Sequence, residues 1–458
     1  MLKVNPKIFK AYDIRGIYQK DFDHHTAYQL GLAYLKLRNQ DLKGNSKQLK
    51  IVVAADKRLS SPILKKSLIK GLVDGGAKVI DIGLASTPTF YFAVAKYNYD
   101  GGIMVSASHN PKEWNGFKIT RERAIPVSGE TGINFLKEEI LKGNLNPAEK
   151  KGKVIDQKNV LEEQIKYDLK IAKVKNIKPL KIVADPANAV GALYLKELFK
   201  HLPVKLKKIN FQLDGNFPAH EADPLKEENL KQIKQEVLKN KADLGISTDG
   251  DGDRIFFIDD QGELIDPAII RGLLAKIFLK DKPGSKIGFD VRPGKISEDL
   301  ILEFGGIPVK TRVGHSLIKE QMLKENIYFS GESSGHFFLN LPIGCFEVPN
   351  IVILKLLEEF SQSPLKISEQ IAPLKKYYHS GEINNKVNDK EKVLERVEKK
   401  YKQGKINKLD GLSIEFDDFW FNLRASNTEN LIRLNLEARS SKTMKEKTEE
   451  ILKIIKKP

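Results

Sequence analysis

The 458-residue chain has a single cysteine, Cys345, so it cannot close an intramolecular disulfide, and a cysteine-based metal site lacks ligands. Long hydrophobic runs are missing too. None approaches the roughly 18 residues that a membrane span needs, and the opening "MLKVNPKIFKAYD" lacks the apolar middle of a signal peptide. A cytoplasmic protein with no membrane partner is therefore expected. The chain also has no zinc-finger spacing, no RNA-binding sheet motif and no basic block interleaved with aromatics. Its net charge of +17 is spread instead along helical patterns such as "LKEENLKQIKQEVLKNKAD", where lysine alternates with glutamate on solvated faces. This argues against a specific nucleic-acid partner and leaves a weak positive field that would gather small anions.

What is present is an ordinary globular balance, 41% hydrophobic and 30% charged, in a chain long enough for three or four domains. Three short strands look alike: "LKIVVAAD", "LKIVADP" and "SKIGFDV", each ending in or near an aspartate. A turn and a helical pattern follow each, the signature of parallel α/β units, and the repetition points to duplication. Each unit then reaches a second apolar strand that stops at a small, polar loop: "GIMVSASHN", "ADLGISTDGDGDR" and "NIYFSGESSGH". Ligands of open α/β sheets sit beyond such strand ends. The last part, with "GLSIEFDDFWFNLRASNTENLIRLNLEARS" between two helices, reads as a smaller α+β domain. The fold expected is α/β: three related α/β domains with mixed sheets, then the C-terminal domain, with boundaries giving 1–155, 156–262, 263–372 and 373–458.

The loops carry the chemistry. In "STDGDGDR", Asp249, Asp251 and Asp253 alternate with glycines, so three carboxylates can face one hard cation while the chain curls closely around it. An EF-hand would need glycine and glutamate where Arg254 and Asp260 stand. Magnesium is the expected ion, because it completes its shell with water and phosphate oxygens. "RASNTEN" places Arg424, Ser426, Asn427 and Thr428 in a bend that serves equally as a hairpin turn or an anion nest. "SGESSGH" offers Glu332, Ser334 and His336, as sugar ligands and a proton carrier or as a plain tight turn. In "SASHNPKEWNGFK", Ser108 is a turn residue or a nucleophile; His109 and Lys118 would add donors and positive charge, and no hydrolase elbow surrounds the serine. "FKAYDIRG" adds Tyr12 and Arg15, and "KTRVGHS" adds His315.

Taken together and in order, these motifs and "DGNFPAHEADP" resemble the α-D-phosphohexomutase superfamily, most closely the bacterial phosphomannomutase/phosphoglucomutases. The resemblance spans all four proposed domains. It implies reversible movement of phosphate between carbon 1 and carbon 6 of a hexose, through a phosphoserine enzyme and a bound 1,6-bisphosphate. Ser108 would be the phosphoserine, with Arg15 and His109 beside the reacting phosphate and Lys118 and His336 as the general acid/base candidates. Asp249, Asp251, Asp253 and phospho-Ser108 would hold magnesium, supported by Arg254. Glu332 and Ser334 would grip sugar hydroxyls; Arg424, Ser426, Asn427 and Thr428 would hold the resting phosphate; Tyr12 and His315 are further substrate contacts. Glucose 1,6-bisphosphate is the implied activator; the sequence itself fixes no oligomeric state, and a monomer or a homodimer is expected. The chain departs from the family pattern where Arg292 in "FDVRPG" replaces the usual lysine, a change of geometry as much as of residue. Ser333 leaves mannose, glucose and glucosamine phosphates all open. The rival classes are a phosphoglucosamine mutase and a phosphatase in which Asp249 is the nucleophile.

Overall fold

The computed structural model describes residues 3–43, 48–425 and 430–457. Among them, no helix is long and apolar enough to cross a membrane. The chain divides into two compact units, one running to Ile265 and including Ser334–Ser368, the other comprising Asp266–Ser333 and the chain from Glu369 onward.

The first unit holds two of the three repeats. Its larger sheet has six strands in the order Ile14–Ile17, Trp114–Arg121, Gly101–Val105, Lys50–Ala55, Lys78–Leu84, Lys153–Asp156. Lys50–Ala55 pairs in parallel with Gly101–Val105, which then pairs antiparallel with Trp114–Arg121, so the sheet is mixed. The central strands read as unbroken apolar runs because helices cover both faces. The second sheet repeats the arrangement with four strands: Lys181–Asp185 is parallel to Leu244–Thr248, and Ile255–Ile258 returns antiparallel. Both repeated strand pairs thus deliver their polar loops at carboxyl ends. After His109 and a short loop, Trp114 opens a strand, which fixes Lys118 in a sheet. Arg15 lies on a short strand, Ile14–Ile17.

The second unit holds the third repeat, in which Lys286–Asp290 is parallel to both Ile307–Thr311 and Phe329–Gly331. It also contains the C-terminal five-stranded antiparallel sheet, ordered Tyr378–Lys386, Leu431–Ala438, Phe419–Ala425, Leu412–Glu415, Lys405–Asn407. One face of that sheet alternates apolar residues such as Ile432, Leu434 and Leu436 against Val393, Val397 and Ile451 from two helices, the period-two pattern of a half-covered sheet.

Candidate active site

Two loops meet in the first unit. Gly101–Val105 ends in a turn where Ser108 takes a left-handed backbone with φ of 52°, a conformation that costs a non-glycine residue about 1–3 kcal/mol. Ser108 is buried, and its hydroxyl donates to Asp249 Oδ2 at 2.6 Å, with His109 Nδ1 3.3 Å away. Arg15 reaches the same turn, donating to Asn110 Oδ1 at 2.9 Å while its Nε sits 2.7 Å from Asp13. Gly250 is needed for this approach: a Cβ there would lie 2.3 Å from the Ser108 carbonyl oxygen. The alternating glycines of the aspartate loop therefore admit the serine as well as letting the chain curl, and Gly252 adopts φ of 71°.

Asp249, Asp251 and Asp253 are buried, and one carboxylate oxygen from each lies within 4.8 Å of the others. Lys118 partners both Asp251 Oδ2, at 2.7 Å, and Asp253 Oδ2. Asp251 also accepts from Thr87, whose hydroxyl is 2.6 Å from Oδ2 and whose amide donates to the Asp251 carbonyl. Its Oδ1 is buried without a hydrogen-bond partner. Three all-oxygen donors, an orphaned buried oxygen and an ammonium drawn to the same carboxylates fit a hard divalent cation. Burial, reinforced by Asp253 and Asp251, pushes the Asp249 carboxyl well up. Burial alone would raise Asp253 as well, yet Lys118 and His336 hold it well below the usual range. Lys118 is driven the other way, its burial overridden by Asp251 and Asp253, so it stays cationic. His109 stays neutral because burial, Arg254 and Arg15 all oppose its protonation. Arg254 donates its backbone N–H to Asp249 Oδ1 at 3.2 Å, and its buried Nη1 has no hydrogen-bond partner. His336 places Nε2 3.2 Å from Asp253 and Nδ1 3.2 Å from Ser334 Oγ.

The remaining residues other than Tyr12 belong to the second unit. Glu332 Oε1 accepts from the Gly314 amide at 3.1 Å, just before His315 opens a helix, and lies 3.3 Å from Arg292 Nη2. Arg292 in turn grips Asp290 at 2.7 Å, and both carboxylates keep it charged despite burial. Asp410 accepts from the Val313 amide at 2.8 Å and lies 3.7 Å from Arg424 Nη1, tying the turn before His315 to the arginine of the suspected nest. Ser426, Asn427 and Thr428 fall outside the described residues. Tyr12 sits half-buried in the bend before Arg15. Ser333 is held down: its amide and hydroxyl donate to Asp290 at 2.6 and 3.1 Å, and Arg271 donates to its Oγ at 3.3 Å.

Sequence reasoning thus placed the first-unit set together and passed over Thr87, Asp290, Arg271 and Asp410. The repeated aspartate at strand ends was the one signal that led toward any of them, Asp290.

The family models for phosphoglucomutase/phosphomannomutase match in sequence order: alpha/beta/alpha domain I over residues 6–145, domain II over 160–262, domain III over 266–377 and the C-terminal domain over 382–454. A phosphomannomutase of Methanocaldococcus jannaschii is 41% identical over 452 residues, covering 98% of each chain. One from Vibrio cholerae is 38% identical over 460 residues, again covering 98% of each. Among solved structures, a phosphoglucomutase/phosphomannomutase family protein of Burkholderia thailandensis superposes with a TM-score of 0.88 at 29% identity, covering 99% of this chain and 98% of that one. With all four domain models matched in order and near-complete coverage by relatives of this identity, the chain belongs to the phosphoglucomutase/phosphomannomutase family.

Proposed function

We propose that the protein is a phosphohexomutase that moves phosphate reversibly between carbon 1 and carbon 6 of mannose or glucose phosphates, with Ser108 as the phosphate carrier. The observation that carries this reading is the Ser108 hydroxyl, which a left-handed backbone presents to a buried three-carboxylate cluster, 2.6 Å from Asp249. Asp249, Asp251 and Asp253 would hold magnesium, which neutralises charge on the phosphoryl oxygens as the group transfers.

In the first half-reaction the free sugar hydroxyl attacks the phosphorus of phospho-Ser108, forming the sugar O–P bond as the P–Oγ bond breaks. The hydroxyl proton passes to His336, and Lys118 returns a proton to Ser108 Oγ. In the second, Ser108 Oγ attacks the other phosphate of the bound 1,6-bisphosphate. Its proton goes back to Lys118, and His336 protonates the departing sugar oxygen. Lys118 rests protonated between Asp251 and Asp253, the form from which it can return a proton once the negative charge of those carboxylates is shared with a cation. Arg254 has a spare donor for a phosphoryl oxygen. Glu332 and Ser334 take sugar hydroxyls, with Arg292, His315, Arg424 and the Ser426–Thr428 stretch taking the phosphate at rest.

The test is a mutase assay with mannose 1-phosphate, glucose 1-phosphate and glucosamine 1-phosphate, each with magnesium and a trace of glucose 1,6-bisphosphate, combined with phosphopeptide mapping. Conversion of the mannose or glucose substrate with label on Ser108 is the expected result. Label on Asp249, or full activity in Ser108→Ala, overturns the carrier assignment; preference for the glucosamine substrate overturns the sugar.

A further inference from the structure

Arg58 is one of the most completely buried large side chains in the first unit, with no exposed surface. A buried guanidinium has five N–H donors to satisfy, and here every one is used. Nε donates to Asp56 Oδ2 at 3.1 Å. Nη1 donates to the carbonyls of Pro111, at 2.7 Å, and Trp114, at 3.1 Å. Nη2 donates to the carbonyls of Ser108 and Asn110, both at 2.6 Å. Four carbonyl oxygens of one loop thus converge on one cation. Without it their dipoles would face one another in a site closed to water.

The arginine is itself held from three sides. Its own amide donates to Asp56 Oδ1, which also accepts from Ser61 Oγ at 2.6 Å. The Phe217 ring lies under the guanidinium, 5.2 Å from its centroid. Gly215 packs on the backbone of the same turn, where a Cβ would come within 2.4 Å of the Lys57 carbonyl oxygen. Such over-determination is what keeps a non-glycine residue in left-handed backbone. The Ser108 carbonyl is pinned between Arg58 Nη2 and Gly250, and that fixes the peptide plane from which Oγ projects to Asp249.

We propose that Arg58 is the positioning residue of phosphoryl transfer: by gathering the carbonyls of Ser108, Asn110, Pro111 and Trp114 it holds the carrier serine in line with the aspartate cluster. The inference rests on the reading of Ser108 as phosphate carrier. It predicts a defect in the transfer step rather than in sugar binding, because no N–H of Arg58 is left for a ligand. Lysine cannot replace it, since three donors on a point charge cannot serve four carbonyls and a carboxylate.

The experiment charges wild-type enzyme, Arg58→Lys and the milder Asp56→Asn with radiolabelled glucose 1,6-bisphosphate, maps the label, and measures turnover per mole of labelled serine. Normalising to label removes any misfolded fraction. Arg58→Lys should lose about 100-fold in kcat per labelled site, the scale of a displacement of about 1 Å, with sugar KM within about two-fold. Should Arg58→Lys yield no labelled protein, Asp56→Asn decides, with about a ten-fold loss expected. Wild-type turnover per labelled site in the deciding variant, or a loss seen in KM alone, overturns the role of Arg58 and leaves Ser108 standing. Label outside Ser108 in the wild-type enzyme overturns both readings.

Discussion

The turns Asp56–Lys57–Arg58 and Asp290–Val291–Arg292 are the same device used in two repeats. Each follows a central parallel strand, each puts the amide of its third residue on Oδ1 of its aspartate, at 3.0 and 2.9 Å, and each returns the arginine side chain to that carboxylate. Their outcomes differ. Arg58 spends its four remaining N–H groups on loop carbonyls and is sealed, whereas Arg292 turns Nη2 toward Glu332 and keeps 13% of its side chain exposed. The middle repeat keeps the turn, with the Ala187 amide 2.9 Å from Asp185, but takes its partner from elsewhere, His220 Nε2 at 3.0 Å. Duplication supplied one frame; the loop above each copy decides whether its cation holds backbone or faces a ligand. The first copy should therefore govern chemistry and the second binding.

The largest break in that contrast is Ser108→Ala, which should cut kcat by about 10³-fold or more, since loss of a nucleophile removes most catalysis; a coupled mutase assay reads it. Glu332→Ala comes next. A hydrogen bond to a charged group is worth about 1.5–3 kcal/mol, so kcat/KM should fall roughly 10- to 100-fold, with labelling of Ser108 intact. Arg292→Lys sharpens the comparison: KM for the sugar phosphate should rise about ten-fold with kcat nearly kept, the reverse of the pattern expected of Arg58→Lys in the same steady-state assay. Ser333→Ala should change the mannose-to-glucose ratio of kcat/KM by no more than about three-fold, because that hydroxyl is already engaged by Asp290 and Arg271.

The smallest effect concerns stability alone. Burial pushes the Asp168 carboxyl up to about 7, against hydrogen bonds from Asn350 and Gln164 that favour its ionised form. The folded chain holds this proton more tightly than the unfolded chain. The stability it contributes is full below about pH 4 and is lost as pH rises to about 7. Asp168→Asn should therefore leave mutase activity unchanged and soften the fall in melting temperature between pH 5 and 8 by a few degrees, read by calorimetry or fluorescence.

The repeated strands were legible because a parallel strand buried on both faces must be an unbroken apolar run, and each run here ends in small polar residues. The aspartate cluster was legible for a similar reason, since its glycines and carboxylates stand adjacent in sequence. Arg58 was not. In "DKRLSSP" it looks like a solvated turn residue, and its partners are carbonyls, which every residue type supplies equally. Thr87 acts through two hydrogen bonds to Asp251, and Asp410 through a hydrogen bond from Val313 and an ion pair with Arg424, none of which a local stretch of sequence announces. The restraint on Ser333 was hidden likewise, because Asp290 and Arg271 lie 43 and 62 residues away along the chain.

The hydrogen bonds from Thr87 to Asp251 and from Ser108 to Asp249, with the close seat of Gly250, rivet the turn of the first repeat to the loop of the second. Carrier and cation seat are then a fixed anvil. If a bisphosphate must present first one end and then the other to Ser108, the anvil cannot swivel to meet it. The sugar has to do the turning, and whatever holds it during that half-turn must let go of both phosphates without letting go of the molecule.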